Sequence, residues 1–144
     1  MQGKTIVVTG GLGALGSAVA EAATKRGASV ALLDHASTVP QGFAERLGGK
    51  TLIIGGVDLT SPTAAETAMA SIKTKFGRLD ALLNIAGGFQ WDTIADGKVD
   101  SWDRMYAINL KTALNACKAA LLHHDLVRLD ALARQVLASP PGDW

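Results

Sequence analysis

Three glycines near the start of the chain have a spacing that can hold a phosphate group. Gly11, Gly13 and Gly16 follow the pattern G-x-G-x-x-G. Residues without a Cβ let the chain turn tightly, let a pyrophosphate approach the backbone, and let the next helix pack closely on a sheet. The free N–H groups and the positive dipole end of that helix then face the phosphates. The pattern indicates a nucleotide site if it lies between a strand and a helix.

The segments on either side of this glycine turn have the required character. The apolar run 5–8 predicts a short buried strand, and the alanine-rich segment 17–27 predicts a helix that ends at a glycine. A second strand, predicted over 28–34, ends in Asp34, an acid that could accept hydrogen bonds from ribose hydroxyls. We therefore predict a dinucleotide site here. A purely structural glycine turn, with Asp34 as a solvated acid at a strand end, is the alternative.

Strand and helix signals alternate along the rest of the chain. Strands are predicted over 50–58 and 79–85, and helices over 43–47, 63–76 and from about 100 to 123. Strands that are apolar throughout and separated by helices indicate a parallel sheet covered on both faces. Because crossovers are right-handed and the phosphate turn follows the first strand, we predict an α/β fold. This is a Rossmann-like, doubly wound parallel sheet of about four strands in the order 3-2-1-4.

Length, composition and charge restrict the class of protein. The chain has 144 residues, 48% hydrophobic and 19% charged, as expected for one globular domain. A net charge of +1 gives no reason to propose nucleic acid or an anionic membrane as a partner. No apolar run approaches the roughly 20 residues that span a bilayer. The one cysteine, Cys117, and a start that leaves no room for a signal peptide lead us to expect a cytoplasmic protein.

Over about residues 1–122 the chain resembles the N-terminal half of a short-chain dehydrogenase/reductase. The matching features occur in that family's order and spacing; they are Gly3-Lys4, the turn from Thr9 to Gly16, Asp34, Asp58-Leu59, Asn84-Ile85-Ala86-Gly87 and Ile108-Asn109-Leu110. The glycine turn and the loop at 86–88 are also similar to those of dihydropteridine reductases. The resemblance implies a Rossmann domain over 1–122 that binds a nicotinamide dinucleotide.

The resemblance also implies roles for individual residues. Asp34 would bind the adenosine ribose and repel a 2′-phosphate, so NAD is favoured over NADP. Asp58 would contact adenine or, alternatively, cap the next segment, while Asn84 would tie strands together beside the cofactor. Ala14 stands where the family has its middle glycine, and we expect binding to survive with altered geometry because Gly13 adjoins it. The complete implied cofactor-binding set is Gly10, Gly11, Leu12, Gly13, Leu15, Gly16, Asp34, Asp58, Leu59, Asn84, Ala86 and Gly87.

The catalytic groups that the resemblance implies are incomplete. The family uses a serine and a tyrosine followed four residues later by a lysine, which lowers the tyrosine pKa. Here the one tyrosine, Tyr106, is followed at that distance by Leu110, and Lys111 would project roughly 140° away on an α-helix. We expect Tyr106 to pack on the sheet instead. Asn109 matches the family's helix asparagine, a partial catalytic residue that assists a water relay, but its usual partners are absent.

A different pattern begins after about residue 122. Apolar residues at helical spacing over 126–136 predict an amphipathic helix before Pro140-Pro141, where the family has a fifth strand. We hypothesise that a truncation or a change of reading frame introduced this helical tail, residues 123–144. Three interpretations stay open: an oxidoreductase of the family's type, a non-catalytic NAD-binding module, and a structural, self-associating remnant.

Two surfaces lead us to expect a homo-oligomer. The fourth strand would lack a partner on its outer edge, and open N–H and C=O groups invite another chain. The helix over 101–122 resembles the one through which family members dimerise, and its apolar stripe contains Leu110, Leu114, Cys117 and Leu121. Within that helix, Cys117 is predicted to be a small buried hydrophobe.

Overall fold

The computed structural model describes residues 1–48 and 50–123, and its strands form one parallel sheet. The strands are β1 (Thr5–Thr9), β2 (Ser29–Leu33), β3 (Thr51–Ile54) and β4 (Ala81–Leu83). The helices are α1 (Ala14–Lys25), α2 (Phe43–Leu47), α3 (Pro62–Phe76), α4 (Val99–Tyr106) and α5 (Thr112–His123), with a π-helix (Ala107–Lys111) between the last two. The strand order is β3-β2-β1-β4, which confirms the predicted fold.

Helices cover both faces of the sheet because the strand side chains alternate between two apolar layers. In one layer the strands pack against α3 and α5, through Val7, Ala31, Leu33, Ala65, Met69, Ile72, Ala116 and Ala120. In the other layer they pack against α1 and α2, through Ile6, Val8, Val30, Leu32, Ala20, Ala23, Phe43 and Leu47. Alanines on the helices allow close approach to the sheet, and the two central strands are buried except for Ser29 at the start of β2, as a parallel sheet requires.

Caps and glycines in the sequence determine where α3 begins and where α3 and β3 end. The Ser61 hydroxyl accepts a hydrogen bond from the Ala64 N–H at 3.4 Å, and Pro62 occupies the first turn of α3, as predicted. Gly77 ends α3 in the left-handed conformation with φ of +72°. β3 is shorter than predicted because Gly55 and Gly56 follow Ile54 directly, and Gly56 has φ of +73°.

Two helix residues differ from the predictions. Cys117 is exposed rather than buried, because α5 turns Ala116, Ala119 and Ala120 towards the sheet. Successive residues differ by about 100° around a helix, so the neighbouring position faces outward. Tyr106 does not pack on the sheet and is 54% exposed, since α4 buries only Ser101.

Part of the chain lies outside these elements. The amphipathic helix predicted over 126–136 falls outside the described residues. Within 1–48 and 50–123, no helix combines the length and the apolar character needed to cross a membrane.

An ionic cluster around Asp80 joins the amino ends of β1 and β4. The Asp80 carboxylate accepts hydrogen bonds from the Thr5 N–H at 2.9 Å, the Arg78 Nε at 2.7 Å and the Lys4 Nζ at 3.2 Å. The Asp80 side chain is only 10% exposed. Hydrogen bonding from the Arg78 guanidinium, reinforced by Thr5 and Lys4, holds the pKa of Asp80 well below its usual range. The cluster therefore fixes the start of β4 against β1.

Replacing Asp80 with Asn should lower the free energy of unfolding by about 2 kcal/mol, because the charge-assisted hydrogen bonds are lost. Since the native pKa of Asp80 is depressed, its contribution is complete above the ordinary carboxyl pKa of 3.8 and is lost as the pH falls below that value. Urea unfolding at neutral pH and at decreasing acidic pH measures both effects. Asp103→Asn, on the exposed side of α4, is the matched control, and an equal loss in the two variants would contradict this role.

Candidate functional site

The glycine turn brings three backbone segments together at the carboxyl edge of the sheet. Gly10 has φ of +65°, and a Cβ there would lie 2.9 Å from the Ala86 backbone nitrogen and Cα. A Cβ at Gly16 would overlap the carbonyl oxygen of Gly10. The start of α1 and the exit from β4 can therefore approach the turn only because these two residues have no side chain.

The other residues of the turn have different roles. A Cβ at Gly11 would lie 2.6 Å from the Leu32 side chain, so Gly11 is required for packing of the turn on β2. At Gly13 the nearest atom to an added Cβ is 3.3 Å away and φ is −72°, so that position is less demanding. Ala14 begins α1, and no residue other than glycine has a positive φ in the described chain. Ala14 is therefore accommodated as a helical residue.

The first turn of α1 presents backbone donors at this point. Its N-cap, Gly13, has no side chain to accept them, and no acidic residue lies in the first turn. The N–H groups of Ala14, Leu15 and Gly16 have no hydrogen-bond partner among the described residues. Together with the positive end of the helix dipole, these donors can bind an anion such as a phosphate group.

Asp34 stands beside this helix terminus and is held by backbone donors. Its Oδ2 accepts from the Leu12 N–H and its Oδ1 accepts from the Ala36 N–H, both at 2.9 Å. Asp34 is half-buried. A carboxylate has about four acceptor positions, so further lone pairs remain for hydroxyl groups. The link from Asp34 to the turn through Leu12 could not be read from the spacing of the sequence.

A cleft of about 630 Å³ joins the helix terminus, Asp34 and the exit from β4. It brings together most of the predicted cofactor residues, namely Gly10, Leu12, Gly13, Leu15, Gly16, Asp34, Leu59, Ala86 and Gly87. Gly11, Asp58, Asn84 and Asn109 do not line it. The predicted cofactor-binding set did not include several residues that line the cleft, which are Ala14, Leu33, His35, Ala36, Val57, Ile85, Ile108 and Thr112. The sequence signals that could have identified them are a position just after a strand, as for His35 and Ile85, and a spacing of four on a helix, as for Ile108 and Thr112.

Thr9 fixes the cleft wall formed by the exit from β4, and sequence analysis gave it no separate role. Its side chain is buried at the end of β1, 1% exposed. The Thr9 hydroxyl oxygen accepts from the N–H groups of Ile85 and Ala86, each at 3.0 Å. β1 therefore positions the Ala86 backbone as well as the glycine turn.

Asn109 holds the loop that follows Ala86. The Asn109 Nδ2 donates to the Gly88 carbonyl at 3.0 Å, and its Oδ1 accepts from the Gly88 N–H at 3.1 Å. A Cβ at Gly87 would lie 2.5 Å from this Oδ1, so a glycine is needed for the approach. Asn109 lies in the π-helix, a local structure that is frequent at functional sites.

The π-helix also changes the predicted relation between Tyr106 and Lys111. The separation of about 140° applied to α-helical geometry, whereas Tyr106 precedes the π-helix and Lys111 is its last residue, so i→i+5 hydrogen bonds lie between them. Both side chains are exposed, neither lines the cleft, and no hydrogen bond joins them in the described part of the chain. They do not form a tyrosine–lysine pair at the cleft.

Two further predicted residues make contacts beside the cleft. The Asp58 Oδ1 accepts from the Thr60 N–H at 2.9 Å and from the Thr60 hydroxyl at 2.7 Å. These hydrogen bonds lower the pKa of Asp58 and correspond to the capping alternative, while its contact to adenine stays a prediction. The Asn84 Nδ2 donates to the Cys117 Sγ at 3.3 Å, which links the exit from β4 to α5 rather than to a neighbouring strand.

Among residues 1–48 and 50–123, no group of three or more His, Cys, Asp or Glu residues is placed so that it could hold a metal ion.

The sheet order and the glycine cleft correspond to a known family. The family model described as "short chain dehydrogenase" matches residues 4–127. The chain belongs to this family. Short-chain dehydrogenases use nicotinamide dinucleotide cofactors, and the residues of the cleft fit such a group because the glycine positions leave space that side chains would fill.

Individual relatives agree with this assignment. A 2-(S)-hydroxypropyl-CoM dehydrogenase of Xanthobacter autotrophicus is 35% identical over 127 residues, 84% of this chain and 48% of the relative. A D-beta-hydroxybutyrate dehydrogenase of Rhizobium meliloti is 32% identical over 82% of this chain and 47% of its own length. The crystal structure of a glucose/ribitol dehydrogenase of Brucella melitensis has a TM-score of 0.80 at 32% identity, covering 86% of this chain and 53% of that one. The chain spans about half the length of these relatives.

Gly16→Ala should lower the free energy of unfolding by about 2 kcal/mol or more, because the new Cβ would overlap the Gly10 carbonyl and the turn must shift. Gly13→Ala is the matched control in the same turn and should change it by less than about 1 kcal/mol. Urea unfolding of the two variants measures the difference. Equal stability of the two variants would contradict the steric role assigned to Gly16.

Proposed function

We propose that this chain binds NAD in the cleft between the glycine turn and the exit from β4. The observation that carries the proposal is the Asp34 carboxylate, fixed by the Leu12 N–H next to the free N–H groups at the start of α1. The cleft thus offers donors for a pyrophosphate and, beside them, an acceptor for ribose hydroxyls.

Charge favours NAD over NADP. A 2′-phosphate on the ribose would bring a second negative group towards the Asp34 carboxylate. No Arg or Lys lines the cleft in the described chain to compensate for it, and His35 is the one lining residue that can carry a positive charge. The expected repulsion follows from Asp34 and applies only to the phosphorylated cofactor.

The remaining residues would hold the other parts of the cofactor. Val57 and Leu59 present apolar surface near Asp34 for the adenine ring, and the backbone at Ala86 and Gly87 leaves room for the remainder. When bound, the nicotinamide supplies a carbon that accepts or donates a hydride. This chain's residues bind and orient it.

The chain is proposed to be the cofactor-binding half of an oxidoreductase. Hydride transfer at a carbonyl needs a proton donor or acceptor beside the reacting oxygen. Tyr106 is not placed to donate or accept that proton in the cleft, because it is exposed and does not line the cleft. We therefore propose that residues 1–144 bind NAD without completing catalysis on their own. A non-catalytic NAD-binding module is the alternative function.

We further propose a cytoplasmic location, because a single free cysteine suits a reducing compartment.

Calorimetric titration of the chain should give a lower Kd for NAD than for NADP, by about tenfold. Asp34→Asn, which removes the charge at nearly constant shape, should bring the two values within about threefold of each other. Asp103→Asn on α4 is the control and should leave the preference unchanged. Equal affinities of the unaltered chain for both cofactors would refute the assignment of Asp34.

We also propose that the chain self-associates through the helix spanning 99–123 or through the open edge of β4. Among the described residues β4 pairs only with β1, and Leu83 at its end is 38% exposed. The stripe on the helix is exposed: Leu110 is 49%, Leu114 54% and Leu121 54% accessible. These exposed leucines at helical spacing give the helix an apolar stripe that another copy could cover.

Sedimentation at micromolar concentration should therefore detect a dimer or larger assembly. Leu114→Lys should shift the population towards monomer if the helix forms the contact, because the charge would have to be buried. Thr74→Lys, which adds the same charge at an exposed position on α3, serves as the control. A compact monomer of the unaltered chain throughout this range would contradict self-association.

A further inference from the structure

One side chain joins α5 to the loop between β3 and α3. The Asn115 Nδ2 donates to two successive carbonyl oxygens of this loop, that of Leu59 at 2.9 Å and that of Thr60 at 3.1 Å. Asn115 is half-buried and lies 56 positions along the chain from Leu59. Because carbonyl oxygens only accept hydrogen bonds, the amide nitrogen must face the loop. This contact was absent from the sequence predictions.

The loop forms one wall of the cleft. Val57 and Leu59 both line it and are buried, 8% and 5% exposed. The Val57 N–H donates to the backbone carbonyl of Asp34 at 2.8 Å, so this wall adjoins the residue proposed to bind the adenosine ribose. The apolar surface next to a ribose-binding acid is the place for the base that the ribose carries.

We infer that Asn115 is a positioning residue for the adenine end of the cofactor, an inference that rests on the proposed binding of NAD. The loop is held from two directions. On its outer side the Asp58 carboxylate accepts from the backbone N–H and hydroxyl of Thr60. On its inner side Asn115 binds the carbonyls of Leu59 and Thr60. Without Asn115 both carbonyls lose their shared donor, and the wall at Leu59 is free to shift.

On the opposite side of the cleft, Asn109 holds the loop after β4, and it lies on the same run of helix over 99–123 as Asn115. Asn109 binds Gly88, beyond Ala86, and does not contact the loop at Leu59. The two asparagines therefore act on different walls. A change at Asn115 should affect the adenine part of the ligand and leave the nicotinamide part unaffected.

Two variants separate the donor function from simple packing. Asn115→Leu keeps a similar volume without a donor, and Asn115→Asp keeps the shape but places a carboxylate against two carbonyl oxygens. We expect the Kd for AMP and for NAD to rise about tenfold in both variants, with binding of nicotinamide mononucleotide changed by less than about twofold. Ile72→Val, in the buried contact of α3 outside the cleft, is the control for a general loss of stability and should leave all three Kd values unchanged.

The outcomes distinguish this inference from the function on which it rests. If the unaltered chain binds AMP and both folded Asn115 variants bind it equally well, the inference is wrong and the proposed function stands. Equal weakening of AMP and nicotinamide mononucleotide would also overturn it. Failure of the unaltered chain to bind AMP or NAD would overturn both. If neither variant folds, NMR of the unaltered chain decides: the Asn115 side-chain amide signals should shift on addition of AMP and stay in place with nicotinamide mononucleotide.

Discussion

The close approach of three backbone segments at Gly10 is the constraint on which the site depends. The start of α1 comes within contact of the Gly10 carbonyl at Gly16, and the exit from β4 passes beside Gly10 at Ala86. Thr9 secures this approach by accepting both N–H groups that follow β4. Side chains at Gly10 and Gly16 would push α1 and the exit from β4 away from the turn and fill the space beside it. The cleft therefore depends on backbone at Gly10, Gly16 and Ala86 that no side chain covers.

Periodicity and turn chemistry were sufficient to predict the architecture. Apolar runs, the Ser61-Pro62 start of α3 and the glycine turn predicted a parallel sheet in the order that the structure has. The same reasoning placed Gly10, Gly16 and Asp34 together because strand ends in such a sheet meet at one edge. These signals are local, so they can be read directly from neighbouring residues.

Contacts between distant segments could not be predicted in this way. Asp80 reaches Lys4 and Thr5 across 76 and 75 positions, and Asn115 reaches Leu59 across 56. No local pattern distinguishes these polar side chains from others on the surface. The error at Cys117 has a related origin, since the angular position of a helix on a sheet depends on its packing partners and not on composition alone.

The hydrogen bond from the Leu12 N–H to Asp34 has a consequence for how this site could evolve. An acid that served only ribose recognition could be exchanged for a small neutral residue during adaptation to a phosphorylated cofactor. Here the same exchange would remove the acceptor of the half-buried Leu12 N–H in the glycine turn and that of the exposed Ala36 N–H. The proposed cofactor preference and the geometry of the turn would therefore change together. A lineage that replaced Asp34 would need a second substitution that supplies an acceptor to the Leu12 N–H.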